Sequence, residues 1–184
     1  SAAFLCRGLK TTGKKVAYVK LTGTTYTKDQ DLAYDLGADV TLDFSDAGFP
    51  STFMCDEDEI LDLYQSLLSV LELHYPDYIV IEIADGLLQR ETDFLLRSKS
   101  FMSTVGSIMM SCGDSLSAFF AVEYLTKIGF SPVALAGVFT MSPLLIDEVK
   151  AGTNIPVLTI DELMSGQFVD LFNRQEVFIG NNGN

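Results

Sequence analysis

The sequence predicts an α/β fold, a doubly wound parallel sheet in a three-layer α/β/α arrangement. Three observations carry this. Apolar runs recur at residues 16–19, 40–42, 78–81, 105–110, 133–139 and 155–158. They do not alternate with polar residues, the pattern of strands buried on both faces in parallel sheets. Segments of helical spacing separate them, and right-handed crossovers wind that order into one sheet.

Residues 1–9 already read as a helix, closed by the turn Thr12-Gly13-Lys14-Lys15. The run at 16–19 is the first strand and ends at Lys20. Ile60, Leu63, Tyr64, Leu67, Leu68 and Leu71 follow helical spacing and form one apolar face. Asp56 and Glu59 fit a capping box ahead of them, and Pro76 follows the end. Residues 115–128 read as a helix with Gly129 just beyond it. Ser142-Pro143 reads as an N-cap with a proline at the first helical position. Thr159 and Glu162 fit a capping box for a last helix. Residues 1–175 read as one domain without repeat or linker, and 176–184 as a frayed tail.

The chain has 184 residues, 48% of them apolar, and a formal charge of −13. That excludes a disordered acidic segment, and it excludes a general nucleic-acid or anionic-membrane binder, which needs a basic face. Cys6, Cys55 and Cys112 lie far apart and predict free thiols in a reducing compartment. No apolar stretch reaches the roughly 20 residues of a spanning helix, and nothing reads as a signal peptide. The expected location is the cytoplasm.

In an open α/β sheet the ligand lies beyond the carboxyl ends of the strands. Those ends carry Lys20-Leu21-Thr22-Gly23-Thr24, Asp43-Phe44-Ser45-Asp46, Glu82-Ile83-Ala84-Asp85-Gly86, Ser111-Cys112-Gly113-Asp114 and Thr140-Met141-Ser142. The opposite ends carry ordinary turns. Glu82 continues a run where burial is expected, and a buried carboxylate needs a cation or a lysine. Lys20 can neutralise phosphate or carboxylate charge. Asp43 and Asp46 either hold a hydrated Mg²⁺ or close a turn. The Asp56-Glu57-Asp58-Glu59 run reads as a helix start favoured by the dipole. His74 is the only histidine, so zinc sites and Ser/His/Asp triads are not expected. No G-x-x-x-x-G-K-[ST] and no G-x-G-x-x-G follows a strand.

Val19-Lys20-Leu21-Thr22-Gly23, Lys28-Asp29 ahead of Gly37-Ala38, and Asp77 to Glu82 before a small-residue turn together resemble the P-loop NTPase group around dethiobiotin synthetase. Cobyrinate amide synthases and the MobB protein share this layout. The stretches at 42–52 and 82–92 are similar to DUF1611-like bacterial P-loop proteins. The resemblance covers about residues 1–165 and implies a P-loop NTPase fold lacking its first strand and Walker A loop. That loop is expected upstream of the first helix. The cofactors implied are ATP and Mg²⁺. Lys20 matches the lysine facing acceptor and phosphoryl group, Asp29 an aspartate near Mg²⁺, and Glu82 the Mg²⁺-binding glutamate. Thr140, Ser142 and Pro143 match the loop near the nucleotide base. Thr22, Asp85, Gln89, Arg90 and Glu91 are expected to bind the substrate. An arginine at a helix start can hold a carboxylate in a bidentate pair, and the acidic pair Asp85 and Glu91 can hold an amine.

The function expected on this basis is Mg²⁺–ATP-dependent activation of a carboxyl-like small-molecule acceptor, with an amino-acid-like acceptor using both arms. The alternatives are a nucleotide-gated regulatory or chaperone-type ATPase and a chain inactive without its P-loop. No nucleic-acid or membrane partner is expected, and a homodimer is one assembly open to it.

Overall fold

The computed structural model describes residues 1–84 and 86–172; Asp85 and the tail at 176–184 lie outside the described residues. The fold is α/β, and the strands of the described residues pair in parallel. The strands form two hydrogen-bonded sheets rather than the single sheet expected, and the chain divides into two compact units, Ala2–Thr104 and the residues from Val105 onward together with Ser1.

The first unit contains α1 (Ala2–Thr11), β1 (Val16–Thr22), α2 (Thr27–Asp35), β2 (Val40–Asp43), α3 (Glu57–Glu72), β3 (Tyr78–Ile83), α4 (Arg90–Arg97) and α5 (Lys99–Met102). Its sheet runs β2-β1-β3. β1 is buried along its whole length, which explains its unbroken apolar run. β2 and β3 flank β1 on opposite sides. Right-handed crossovers through α2 and α3 therefore run in opposite directions and put these helices on opposite faces. α1 packs on β1 and β3 beside α2, and α4 packs on α3.

The helix ends behave as their sequences dictate. Asp56 accepts from the Glu59 amide and Glu59 reaches back to the Asp56 amide, closing the expected box on α3. Ile60, Leu63, Tyr64, Leu67 and Leu71 form the buried stripe of that helix. Tyr64 meets Phe101 edge-on at 4.8 Å and shares a hydrogen bond with Thr104.

The second unit contains β4 (Met109–Ser111), α6 (Ser115–Lys127), β5 (Ala134–Ala136), α7 (Pro143–Gly152), α8 (Ile160–Ser165) and α9 (Val169–Phe172). Its strands are shorter than the apolar runs suggest. The run at 105–110 contributes strand only from Met109. The run at 133–139 breaks at Gly137, whose φ of 115° is accessible to glycine and whose backbone passes so close to Cys112 that an added Cβ would lie 2.3 Å from the carbonyl oxygen. A 3₁₀ turn, Val138–Met141, follows. The run at 155–158 makes only a bridge between Leu135 and Val157, with Pro156 accepting from the Leu135 amide. Proline has no N–H to extend that ladder. Ser142 and Pro143 start α7, and Thr159 and Glu162 form the box on α8, as the sequence predicts.

Candidate functional site

Lys20 on β1 is in register with Asp43 on β2 and with Glu82 on β3. Residues in register on parallel strands point to the same face. The three ionisable groups therefore form one row across the carboxyl edge of the sheet. Lys20 and Asp43 are buried and Glu82 is half-buried.

Each member of the row has its own partner. Lys20 Nζ donates to Asp29 Oδ2 of α2 at 2.6 Å and to the Thr24 carbonyl at 3.3 Å. A lysine this buried requires such a counter-ion. The Tyr18 hydroxyl donates to Glu82 Oε2 at 2.9 Å. Tyr18 precedes Lys20 by two residues and so shares its face. Burial, reinforced by the Glu82 charge, pushes the Tyr18 phenol far above its usual range, so it remains a donor at neutral pH. Burial and the same glutamate push the Cys6 thiol of α1 up to about 12, which makes it an inert packing group.

Asp43 closes a turn. Its Oδ1 accepts from the amide and hydroxyl of Ser45, while Asp46 Oδ2 accepts from the Asp43 amide at 2.8 Å. Of the two readings open for Asp43 and Asp46, the turn is the one formed: they make the capping box of a 3₁₀ turn, Phe44–Ala47.

Beyond the ends of β1 and β3 lies a cavity of about 180 Å³. β1 leads out to α2 on one face of the sheet and β3 to α4 on the other, and a crevice opens where outgoing loops part. Thr22, Ser51, Thr52, Gln89, Glu91 and Thr92 line it, with Phe53 among the wall residues. Its hydroxyls hold loop backbone in place. Thr22 Oγ1 accepts from the Ala84 amide at 3.0 Å, and Thr52 Oγ1 accepts from the Gly23 amide at 2.8 Å. Glu91, 6% exposed, accepts through Oε1 from the Met54 amide at 2.9 Å and from Arg90 at 3.0 Å. That carboxylate anchors Met54, a non-glycine residue held at φ 68°. Thr92 Oγ1 is buried and has no hydrogen-bond partner among the described residues.

The structure sorts the expected site residues into groups. Lys20, Asp29, Asp43 and Glu82 gather on or beside the sheet row. Thr22, Gln89 and Glu91 line the cavity. Arg90 does not: its guanidinium donates to the Cys55 carbonyl at 2.7 Å and to Glu91, and lies over the Phe94 ring. Arg90 forms an internal arginine–carboxylate pair, because Glu91 adjoins it and is itself buried. Asp85 lies outside the described residues. Thr140, Ser142 and Pro143 belong to the second unit, where Thr140 Oγ1 donates to the Gly137 carbonyl at 2.8 Å and Pro143 opens α7.

Sequence reasoning missed Ser51, Thr52, Phe53 and Thr92 as wall residues. The signal for the first three is tertiary: Ser51 bridges to Thr24, and the Thr52 amide donates to the Gly23 carbonyl, folding the loop back over the end of β1.

Among the described residues no three His, Cys, Asp or Glu side chains gather as a metal cage. Mg²⁺ needs less, one or two carboxylates with waters and substrate oxygens. Glu82 fits that share, since Tyr18 occupies Oε2 and Oε1 has no partner among the described residues. Asp43 and Asp29 are engaged elsewhere. Among the described residues no helix is long and apolar enough to cross a membrane. Against protein-family models, curated proteins and solved structures, the chain gives no match.

Proposed function

We propose that the protein is a Mg²⁺–ATP-dependent enzyme transferring a phosphoryl group to a small-molecule acceptor, within the dethiobiotin synthetase-like P-loop group that its sequence resembles. The observation that carries this reading is the row Asp43–Lys20–Glu82 at the carboxyl edge of three parallel strands, beside a hydroxyl-lined cavity.

In phosphoryl transfer a protein chiefly positions reactants and neutralises charge. Lys20 supplies a fixed positive charge, held by Asp29. Glu82, held by Tyr18, is the carboxylate whose second oxygen has no partner among the described residues and would face Mg²⁺. The metal, when bound, would offset phosphate charge. The cavity holds the acceptor. A phosphate there would sit against Glu91: at roughly 5 Å and an effective dielectric of about 20, two unit negative charges repel by about 3 kcal/mol. A carboxyl-like acceptor, the class implied by the resemblance, meets the same carboxylate and no cation among the described wall residues.

The test is Mg²⁺ and ATP binding by the full-length protein, measured by calorimetry, with Glu82→Gln as the variant. The expected result is Mg²⁺-dependent ATP binding with an altered metal dependence in the variant. Absence of ATP binding, or identical metal dependence in both proteins, refutes the reading.

A further inference from the structure

The wall of the cavity that carries Thr52 and Phe53 is a tight turn under strain. The Cys55 amide donates to the Thr52 carbonyl at 3.1 Å and closes the turn Thr52–Cys55. Met54 takes its third position at φ 68°, a left-handed conformation that glycine adopts freely and a residue with a Cβ adopts at a cost. Side-chain packing does not enforce it, because Met54 is 64% exposed and Phe53 75%. Strain of this kind persists only where other contacts over-determine it.

Those contacts lie on two sides and differ in kind. Toward β1 the turn is fixed through buried Thr52: its amide donates to the Gly23 carbonyl at 3.0 Å, and its Oγ1 accepts from the Gly23 amide at 2.8 Å. Beyond Cys55 the Asp56 box starts α3. Phe53, Met54 and Cys55 lie between these fixed points. Toward α4 they are held by one pair of side chains. Glu91 Oε1 accepts from the Met54 amide at 2.9 Å, Arg90 donates to the Cys55 carbonyl at 2.7 Å, and the two side chains pair at 3.0 Å. The Arg90 side chain is 44% exposed, so water and salt compete for it on this side.

We propose that the turn Thr52–Cys55 is a gate on the cavity, latched by the Arg90–Glu91 pair and driven open by the strain at Met54 when the latch parts. Arg90 is a positioning residue, acting on the cavity through the turn. The proposal adds regulation to the acceptor site above and rests on that reading only for what enters.

Cys55 reports the gate. It is buried in the closed turn. Burial and the carboxylates of Glu59, Glu91 and Asp56 push its thiol up, while Arg90 pulls it down. Loss of the Arg90 charge alone therefore makes this thiol less reactive, whereas release of the latch makes it more so.

The experiment is peptide-resolved mass spectrometry of iodoacetamide labelling on the full-length protein without nucleotide. Arg90→Met should label Cys55 about tenfold faster, with Cys6 and Cys112 at their parental rates. Met54→Gly should label Cys55 about threefold more slowly than the parent, because glycine lifts the strain; Met54→Ala, equally strained, should not. Added to Arg90→Met, Met54→Gly should reverse part of the acceleration. Unchanged or slower Cys55 labelling in Arg90→Met, equal acceleration at all three thiols, or labelling of Met54→Gly as fast as that of Met54→Ala overturns the proposal. Each rate is read without ATP, so a failure to bind ATP refutes only the phosphoryl-transfer reading, and a turn that does not unlatch refutes only the gate.

Discussion

The Tyr18 hydroxyl donates to Glu82 Oε2 at 2.9 Å, one strand away and on the same face of the sheet. Tyr18 is wholly buried, so its rotamer is fixed by packing and it holds the carboxylate in one orientation. Lys20 lies two residues further along the same strand face. Tyr18 therefore supports the Glu82 carboxylate without standing at the site itself.

Tyr18→Phe should keep the fold, because the ring stays. It leaves Glu82 with one donor fewer, at a cost of about 1–2 kcal/mol. Mg²⁺ affinity of the ATP complex should fall while nucleotide affinity in the absence of metal stays constant. Calorimetry with and without metal separates the two, and an equal loss in both would mean general misfolding.

Gly137 gives a sharper stability test. Alanine there would place Cβ 2.3 Å from the Cys112 carbonyl oxygen and 2.5 Å from its nitrogen, both backbone atoms that cannot swing away, and φ is already 115°. Gly13 and Gly48 also have positive φ, at 79° and 90°, yet an added Cβ meets nothing within 4 Å. Gly48→Ala should cost about 1 kcal/mol of backbone strain. Gly137→Ala should cost about 3 kcal/mol or more, since strain and overlap act together. Thermal melts of the two variants should differ clearly; similar melts would mean the Cys112 loop relaxes.

Asp39 sets an acid-side dependence. Partial burial raises its pKa, but the Lys10 hydrogen bond, the Val16 amide and the charges of Lys10 and Lys15 outweigh that and lower it from 3.8. The folded state thus releases this proton more readily than the unfolded chain. Its contribution is present above the ordinary carboxylate value and lost as pH falls through the lowered one. Asp39→Asn should be less stable by about 1 kcal/mol at neutral pH. The gap should close on strong acidification, once the pH has fallen through that lowered value. Urea unfolding at both pH values checks this; a gap that persists in acid would assign the effect to shape rather than charge.

The sequence showed the alternation of strands and helices because β1 and α3 bury long, regular patterns. The boxes at Asp56 and Thr159 and the stop at Gly129 follow from local chemistry and stand where their residues placed them. What was illegible depends on distant contacts. The run at 133–139 breaks at Gly137 because Cys112 passes beside it, which no window around residue 137 reveals. Lys20 and Glu82 were visible as polar ends to apolar runs. Their alignment with Asp43 needed strand register, which relates residues far apart in the chain. The contacts of Arg90 were hidden for the same reason: the Cys55 carbonyl that it meets is brought by a separate loop.

The pair Lys20–Asp29 should respond asymmetrically to its two single deletions. Lys20 Nζ and Asp29 Oδ2 lie 2.6 Å apart, but the lysine side chain is 6% exposed and the aspartate 34%. Lys20→Met removes the charge with the larger desolvation cost and keeps the apolar stem, and it leaves an aspartate that water can reach. Its stability should stay within about 1 kcal/mol of the parent. Asp29→Asn leaves a buried ammonium with the Thr24 carbonyl, at 3.3 Å, as its remaining described acceptor. Full removal of one partner of a buried pair costs about 3–5 kcal/mol. Asparagine retains an oxygen and the site is one-sidedly wet, so about 1–2 kcal/mol is expected. Function should run the other way. Lys20→Met should abolish phosphoryl transfer, because no other described cation stands in the sheet row. Asp29→Asn should retain part of it, because the charge survives. Equilibrium unfolding ranks the stabilities and product formation with Mg²⁺–ATP ranks the activities. If both rankings run in the same order, Lys20 is a structural cation and its proposed role in catalysis is lost.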